Sequence, residues 1–378
     1  GNRRRSMNSV TIVAEAGTAH GGSREAARAL CTSARDAGAA VVKFQHVIAD
    51  EIVHPATGDV ALPAGSVPLY HRFQSLEKDV SFFAELAEYC AGIGIEFLCS
   101  VFGIRSLADI ASLDLPRLKV ASPELNHIPL LRKIRQTVLH DHSRSIILSS
   151  GVSRLGDIES ALLVLGRRGV TLLHCVTAYP APEAAYNLAV VGPLSVLLGV
   201  PVGVSDHSLD PTAVPVVAVA EGAVMIEKHL TLDQAGGGLD DPVALDPAGF
   251  SQMVQAVRLV QGAPDRRETV VEMLGAERVA AIRGSGLKEL PEVEAQNYGR
   301  TNRSIHAVRD LPAGHRIGES DVVVVRSEKN LRPGLHPRFA EALVGAKLQR
   351  NVRAGDGIVW DDIVDRPAGR EAAPWPVR

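Results

Sequence analysis

The chain has 378 residues, 46% of them hydrophobic, which is enough for one large and one small domain with a full buried core. A net charge of −3 and an aromatic content of 4% argue against nucleic acid as a partner, since nucleic-acid binding relies on basic surfaces and base stacking. No apolar run reaches the about 18 residues of a membrane span, so we expect no membrane partner and a cytoplasmic location.

Short β-rich runs alternate with longer helical segments over the first two thirds of the chain. The predicted strands are 10–15, 40–45, 96–100, 117–122, 145–149, 170–175, 202–205 and 223–227. The predicted helices are 23–37, with Ser23 as its N-cap, and then 81–91, 106–112, 128–137, 155–165, 190–198, 211–221 and 247–261.

The strands are apolar with little alternation, which is typical of parallel strands buried on both faces. Eight strand–helix units over roughly 250 residues predict a (β/α)₈ TIM barrel. A doubly wound open sheet is the alternative, and it is disfavoured because no Gly-rich dinucleotide fingerprint follows the first strand.

The pattern changes after residue 264. We predict a barrel domain over 7–264, a charged helical linker over 265–300, a small β-rich module over 301–366 and a frayed tail over 367–378. Two turn segments in the module resemble each other and indicate a weak internal repeat: VRDLPAGH at 308–315 and QRNVRAGD at 349–356.

The chain ends and the cysteines give no sign of export. Residues 1–6 are basic with no apolar segment behind them, so we read them as a cloning remnant and not as a signal peptide. The four cysteines form no CxxC pair, so we expect reduced thiols and neither a zinc ribbon nor a disulfide scaffold: Cys31, Cys90, Cys99 and Cys175.

Nearly every predicted strand ends in a polar side chain, and in a barrel these ends meet on one face, where such enzymes keep their active sites. One group combines lysine charge with hydroxyl donors and would suit a phosphate group. Each serine taken alone could simply terminate a strand. The members are Lys43, Lys119, Ser100, Ser122, Ser149 and Ser205.

Two further groups lie at the strand ends. His207 and His229 end adjacent strands and could bind one divalent ion, with water and substrate as the other ligands; Mn, Zn, Fe or Co would suit them. The acidic residues Glu15, Glu124 and Asp240 could act as general acid or base, bind sugar hydroxyls, or serve only as ion-pair partners.

Several motifs appear in order along the barrel: AEAG at 14–17, AAVVKFQ at 39–45, LKVASPE at 118–124, ILSSG at 147–151, LLHC at 172–175, YPAP at 179–182, VGVSDH at 202–207 and IEKH at 226–229. With them the chain resembles the sialic acid synthase family, enzymes that condense phosphoenolpyruvate with an N-acylhexosamine. The C-terminal module resembles the antifreeze-like SAF domain of that family.

The resemblance implies a metal-dependent transferase that forms a C–C bond, with Mn²⁺ favoured and Mg²⁺ or Co²⁺ as alternatives. It assigns the metal to His207 and His229. It assigns the phosphate of phosphoenolpyruvate to Lys119, Ser100, Ser122, Ser149, Thr177 and Ser205. It gives catalytic roles to Lys43, Glu15 and Glu124, the last placed to handle a proton, and acceptor contacts to Gln45, Tyr179, Asp240 and Arg326.

The resemblance also predicts a domain-swapped homodimer, in which the module of one chain caps the barrel of the other and supplies Arg326. The linker is long enough to carry the module away from its own barrel. Three positions depart from the family pattern. Ala19 precedes His20 where the family has Asn-His, Thr177 replaces an asparagine, and Arg326 is followed by Ser-Glu-Lys-Asn instead of Pro-Gly.

The sequence leaves the acceptor open between N-acetylmannosamine, a diamino-hexose derivative and another aldehyde. Two other functions also remain open. One is a Schiff-base pyruvate aldolase on the same barrel that uses Lys119 or Lys43 as nucleophile. The other is a catalytically silent sugar-binding protein built around the SAF module.

Overall fold

Eight parallel strands close into a barrel in the computed structural model of the chain, which describes residues 9–62 and 65–364. In chain order the strands are β1 (Thr11–Gly17), β2 (Val41–Gln45), β3 (Asp59–Leu62), β4 (Gly65–Pro68), β5 (Glu96–Ser100), β6 (Arg117–Val120), β7 (Ser145–Ser149), β8 (Val170–Cys175), β9 (Val202–Asp206), β10 (Met225–His229), β11 (Arg303–Ala307) and β12 (Val322–Arg326).

The barrel runs β1, β2, β5, β6, β7, β8, β9, β10, and β10 pairs back with β1. The predicted TIM barrel is therefore confirmed, and β5, β7 and β8 have the predicted bounds. The strands β3–β4 and β11–β12 form two separate antiparallel pairs outside the barrel. The predictions for residues 1–6 and 367–378 lie outside the described part of the chain.

The helices surround the barrel and continue into the linker and the module. They are α1 (Arg24–Asp36), α2 (Ala49–Ile52), α3 (Leu69–Gln74), α4 (Val80–Ile93), α5 (Ile104–Ala111), α6 (Ile128–Thr137), α7 (Leu155–Leu165), α8 (Val191–Leu198), α9 (Ala213–Ala220), α10 (Pro247–Gly262), α11 (Arg266–Leu274), α12 (Ala276–Arg283), α13 (Glu292–Ala295) and α14 (Ala340–Leu343). None in the described ranges is long and apolar enough to span a membrane.

Local sequence explains where the helices start. Ser23 caps α1 as predicted, because its side chain accepts the N–H of Ala26. Asp79 caps α4 by accepting the N–H of Ser81. The faces that these helices turn inward pack on the outer side of the strands and form the main core. The four cysteines are buried and unpaired, as expected.

An insertion between β2 and α4 was not predicted. It holds α2, β3, β4 and α3, and its own apolar cluster includes Val47, Ile52, Leu69 and Phe102. The insertion rises above the carboxyl end of β2, where Val53 bridges to Arg326 of the module. It therefore forms one wall of the barrel mouth.

The C-terminal module is built on the predicted internal repeat. Leu311 and Val352, from the two turn segments, exchange backbone hydrogen bonds of 2.9 Å in both directions. Asp310 accepts the N–H of Ala354 and, in the equivalent position, Asn351 accepts the N–H of Ala313, both at 2.8 Å. The two similar turn segments therefore bind each other through equivalent hydrogen bonds.

The module covers the mouth of its own barrel in the described chain. Asn126, on the loop before α6, binds both the N–H and the carbonyl of Arg303 at 2.9 Å. The linker packs along the barrel, where Arg278 of α12 pairs with Glu183 at 2.8 Å. Within this single chain the module lies on its own barrel, and the exchange of modules between two subunits stays a prediction.

Candidate active site

A cavity of about 250 Å³ opens at the carboxyl ends of the barrel strands, beneath the module. The strand-end residues predicted from the sequence line it, with two exceptions, Ser100 and Glu124. The predicted residues in the lining are Glu15, Lys43, Gln45, Lys119, Ser122, Ser149, Thr177, Tyr179, Ser205, His207, His229, Asp240 and Arg326.

An ion-pair network forms one part of the lining. Lys43 Nζ lies 2.6 Å from Glu15 Oε2 and 3.7 Å from Glu227 Oε2. Lys119 Nζ lies 3.3 Å from Glu227 Oε1, which also accepts a 3.0 Å hydrogen bond from Ser205. All four charged groups are almost completely buried, so each lysine is held in place by a carboxylate.

Sequence reasoning gave Glu227 no role, although the signal was present. Side chains alternate along a strand, so Glu227 and His229 must face the barrel interior together. Lys228, between them, points the other way and pairs with Asp206 at 2.5 Å. The prediction that His229 lines the site therefore implies that Glu227 lines it too.

Burial and neighbouring charges shift the pKa values of the two lysines in opposite directions. Burial opposes the charge of Lys43, but the carboxylates of Glu15 and Glu227 outweigh it and raise the pKa of Lys43. Burial lowers the pKa of Lys119, and Glu227 only partly offsets this. For Glu227, burial is outweighed by Lys119 and Lys43, and its pKa falls to about 2.

Two residues of the lining carry buried hydroxyl groups without partners. Among the described residues, the buried hydroxyls of Ser149 and Thr177 find no hydrogen-bond partner. Ser122 accepts the N–H of Gly151 at 2.9 Å. A Cβ on Gly151 would overlap Thr177 Oγ1 and lie 2.9 Å from Ser122 Oγ, so only glycine lets both hydroxyls lie against the backbone here. Buried hydroxyls normally find partners, and a ligand with several oxygens would provide them.

Ser100 differs from its prediction. It is fully buried below the cavity, where its hydroxyl accepts a 3.4 Å hydrogen bond from Lys43. The end of β5 carries it under the lysine and out of the lining. In this structure Ser100 contacts Lys43, and its contact with a phosphate stays a prediction.

The two predicted metal ligands are neighbours. The rings of His207 and His229 are 5.4 Å apart between centroids, and the Tyr179 ring is 4.4 Å from that of His207. His207 Nδ1 donates to the carbonyl of Val176 at 2.8 Å, which leaves the lone pair on Nε2. Burial lowers the pKa of both histidines, so both rings are neutral near pH 7.

These imidazoles fit a divalent ion as a pair of ligands. Asp240 Oδ2 lies 3.9 Å from His229 Nδ1. Over residues 9–62 and 65–364, no three His, Cys, Asp or Glu side chains form a metal-binding group. The remaining ligands would therefore come from water or substrate, as in an open catalytic site.

Glu124 is placed differently from its prediction as well. It is completely buried behind the cavity, and its Oε1 accepts hydrogen bonds from Arg326 at 2.7 and 3.0 Å. The same oxygen accepts from Arg303 at 3.0 and 3.2 Å. Glu124 thus anchors the module, and its expected role with a proton stays a prediction.

Arg303 is a second residue that the sequence reasoning missed. It is fully buried, and besides Glu124 it donates to the carbonyls of Phe102 and Val324. Burial lowers its pKa to about 10, partly offset by Glu124. No local pattern around 303 distinguishes it from a surface arginine, because its partners are distant in the chain.

Comparison with known proteins agrees with this architecture. The profile of the NeuB family matches residues 30–268, and that of the SAF domain matches residues 302–364. The chain is 32% identical over 361 residues to the spore coat polysaccharide biosynthesis protein SpsE of Bacillus subtilis, covering 94% of each chain. It is 31% identical over 363 residues to the N,N'-diacetyllegionaminic acid synthase of Legionella pneumophila, covering 93% of this chain and 94% of that protein.

Solved structures give the same result. The crystal structure of SpsE from Bacillus subtilis superposes with a TM-score of 0.78 at 32% identity, over 95% of this chain and 96% of that one. The N-acetylneuraminic acid synthetase from Leptospira borgpetersenii, in complex with citrate, gives a TM-score of 0.61 at 28% identity, over 72% and 93%. The chain is a member of the NeuB family and carries a C-terminal SAF domain.

Proposed function

We propose that this chain is a synthase that condenses phosphoenolpyruvate with an aldose or related aldehyde, giving a 2-keto-3-deoxy sugar acid and phosphate. One observation carries the proposal: lysine and hydroxyls without partners line the same cavity as a pair of neutral histidines. Relatives named as legionaminic, pseudaminic and N-acetylneuraminate-9-phosphate synthases support this reaction class. The unpaired cysteines favour the reducing cytoplasm as its location.

The phosphate end of the cavity is the one with Lys119. We assign the phosphate to Lys119 and to the hydroxyls of Ser122, Ser149 and Thr177, because two of these hydroxyls are otherwise without partners. Ser205, which donates to Glu227, and Lys43, which pairs with Glu15, lie in the same lining. Fixed donors of this kind hold the leaving group without reorganisation during the reaction.

The acceptor end is the one with the two histidines. His207 and His229 would hold a divalent cation, with Mn²⁺ favoured and Mg²⁺ or Co²⁺ as alternatives. When bound, the ion supplies Lewis-acid polarisation of the aldehyde oxygen. Tyr179, Asp240, Gln45 and Arg326 line this part of the cavity and orient the acceptor.

The reaction then follows from positioning. C3 of phosphoenolpyruvate forms a bond to the aldehyde carbon, and positive charge develops at C2. Water adds to C2 and gives its proton to Glu15, which lies in the lining and accepts from Gln45 at 2.6 Å. The aldehyde oxygen takes up the proton held by Glu15 and becomes a hydroxyl. The C2–O bond to phosphate breaks, phosphate leaves with the second proton of the water, and the oxygen from water remains as the ketone.

The test is phosphate release from phosphoenolpyruvate with a panel of aldehydes, in the presence and absence of divalent cations and chelator. Water labelled with ¹⁸O should place its label in the keto acid and not in phosphate.

Lys119→Met should raise KM for phosphoenolpyruvate more than about tenfold, since a charged hydrogen bond contributes about 1.5–3 kcal/mol. Lys133→Met, at an exposed position on α6, is the matched control. No phosphate release with any aldehyde and cation would refute the proposal.

The two alternatives have less support. A Schiff-base aldolase needs a neutral lysine, yet the carboxylates beside Lys43 raise its pKa and keep it protonated. Lys119 is the better nucleophile of the two, so borohydride trapping with pyruvate tests this alternative directly. A silent sugar-binding protein has no need for a cradle of free hydroxyls, and turnover would exclude it.

A further inference from the structure

One carboxylate of the linker enters the rim of the barrel. Glu294, on α13, is completely buried, and its Oε1 accepts the backbone N–H of Val152 at 3.0 Å and that of Thr177 at 2.5 Å. Val152 lies on the loop after β7 and Thr177 on the loop after β8. A single oxygen therefore joins two adjacent loops of the barrel.

The loop after β7 depends on such contacts. Val152 has a φ of +48°, a left-handed conformation that β-branched residues rarely adopt. Conformations of this kind persist only where the surroundings impose them. Asn302, just before β11, donates from Nδ2 to the carbonyl of Val152 at 2.8 Å. Both peptide groups of Val152 are thus held by residues outside the barrel domain.

The hydroxyls without partners lie at the end of β7 and on the loop after β8. Ser149 lies three residues before Val152, and Thr177 itself gives its N–H to Glu294. Gly151, next to Val152, is fixed from the other side by Ser122. Glu294, Asn302 and Ser122 therefore hold the backbone of Thr177 and of the residues that directly follow Ser149.

We propose that Glu294 is a positioning residue, which holds the loops after β7 and β8 in the conformation that receives the substrate phosphate. This inference rests on the function proposed above. Because Glu294 and Asn302 belong to the linker and to the start of the module, docking of the module and binding of phosphate are coupled, and each strengthens the other.

Two substitutions at Glu294 separate the effect of side-chain length from the effect of charge. Glu294→Gln keeps an oxygen at the same distance from both amides but removes the charge. Glu294→Asp keeps the charge but shortens the side chain by about 1.5 Å, so it loses contact with the amides. If Glu294 served only to balance the charge of the linker residue Lys288, whose pKa its carboxylate raises, then Glu294→Gln would be harmful and Glu294→Asp would not. Glu292→Gln, exposed on the same helix, is the matched control.

The experiment measures binding of inorganic phosphate by calorimetry, and KM for phosphoenolpyruvate and for the acceptor in the phosphate-release assay. We expect Glu294→Asp to weaken phosphate binding and raise KM for phosphoenolpyruvate, each by about tenfold or more. KM for the acceptor should change less than about threefold, and Glu294→Gln and Glu292→Gln should stay near wild type in both measurements.

Three outcomes would overturn the inference: Glu294→Asp behaves as wild type, Glu294→Gln loses as much as Glu294→Asp, or both KM values rise together. If Glu294→Asp does not fold, Asn302→Asp takes its place, since it keeps the oxygen that Gly299 binds and loses the donor to Val152. Phosphate binding by calorimetry still tests the inference if wild type shows no synthase activity, and wild type that binds no phosphate also overturns it.

Discussion

Arg326 of the SAF domain donates two hydrogen bonds, of 2.7 and 3.0 Å, to a single carboxylate oxygen of Glu124 in the barrel. Both side chains are largely buried, and Arg303 binds the same oxygen. Arg326 also lines the cavity, so the contact that attaches the module places a cation at the active site. Docking of the module on the barrel therefore also places the Arg326 side chain in the cavity.

Removal of Glu124 should destabilise the protein strongly. Glu124→Ala leaves two buried guanidinium groups without their carboxylate, which we expect to cost about 3–5 kcal/mol in the free energy of unfolding. Glu341→Ala is the control, because its pair with Arg132 also joins module to barrel but is exposed, and it should cost less than about 1 kcal/mol. Urea unfolding measures both. Equal losses in the two variants would contradict the assigned role of Glu124.

A methyl group at Gly151 should close the phosphate cradle. Gly151→Ala would place its Cβ 2.1 Å from Thr177 Oγ1, so phosphate binding should fall by at least about tenfold. Gly156→Ala, on α7, adds its Cβ to open space and should bind phosphate as wild type does. Calorimetry with inorganic phosphate compares the two, and tight binding by Gly151→Ala would rule out this location for the phosphate.

Either histidine of the pair should be essential for metal-dependent turnover. His207→Ala and His229→Ala should each lose Mn²⁺ binding in calorimetry and most activity, while circular dichroism shows an unchanged fold. His71→Ala, exposed on α3, controls for loss of a histidine elsewhere. The assignment fails if both variants keep full activity, or if chelator leaves wild-type turnover unchanged.

Stability should fall in mild acid. Burial lowers the pKa of His174 to about 3, with a further contribution from Lys288, and burial lowers that of His306 to about 4. In the unfolded chain these groups bind protons near pH 6.5, so between pH 6.5 and 4 the unfolded state holds more protons and stability decreases as pH falls. Each group contributes up to about 1.4 kcal/mol per pH unit.

Unfolding in urea at pH 7, 6 and 5 measures this slope. His174→Gln should reduce it by the share of one histidine, and His71→Gln, at an exposed position, is the control. Constant stability from pH 7 to 5 would show that the buried histidines are not neutral in the folded state.

Subunit mixing tests whether modules are exchanged between chains. We expect a homodimer in which each module serves the barrel of its partner, with the Arg326–Glu124 contact formed between chains as it is within the described chain. His229→Ala and Arg326→Ala proteins, mixed and allowed to exchange, should then regain one complete site per mixed dimer. Activity equal to the average of the parents would show that each module serves its own barrel.

The sequence by itself determined the barrel and most of the cavity. Apolar strands of regular spacing, with polar residues at their ends, predict a parallel barrel whose strand ends converge. Lys43, Lys119, His207 and His229 could be placed in one site for this reason, because each lies on a strand or directly after one, and the fold class fixes the direction and position of these strands.

Only the tertiary structure decided which groups act from a distance. Glu294 and Arg303 lie outside the barrel strands, and their partners in the barrel are more than a hundred residues away in the chain, so no periodic pattern marks them. The insertion at 49–76 escaped prediction because its elements are four to six residues long, too short to show a period. Ser100 and Glu124 were assigned to the site from their position near strand ends. Only the folded chain shows that Ser100 contacts Lys43 and that Glu124 binds Arg303, because these partners approach only when the chain folds.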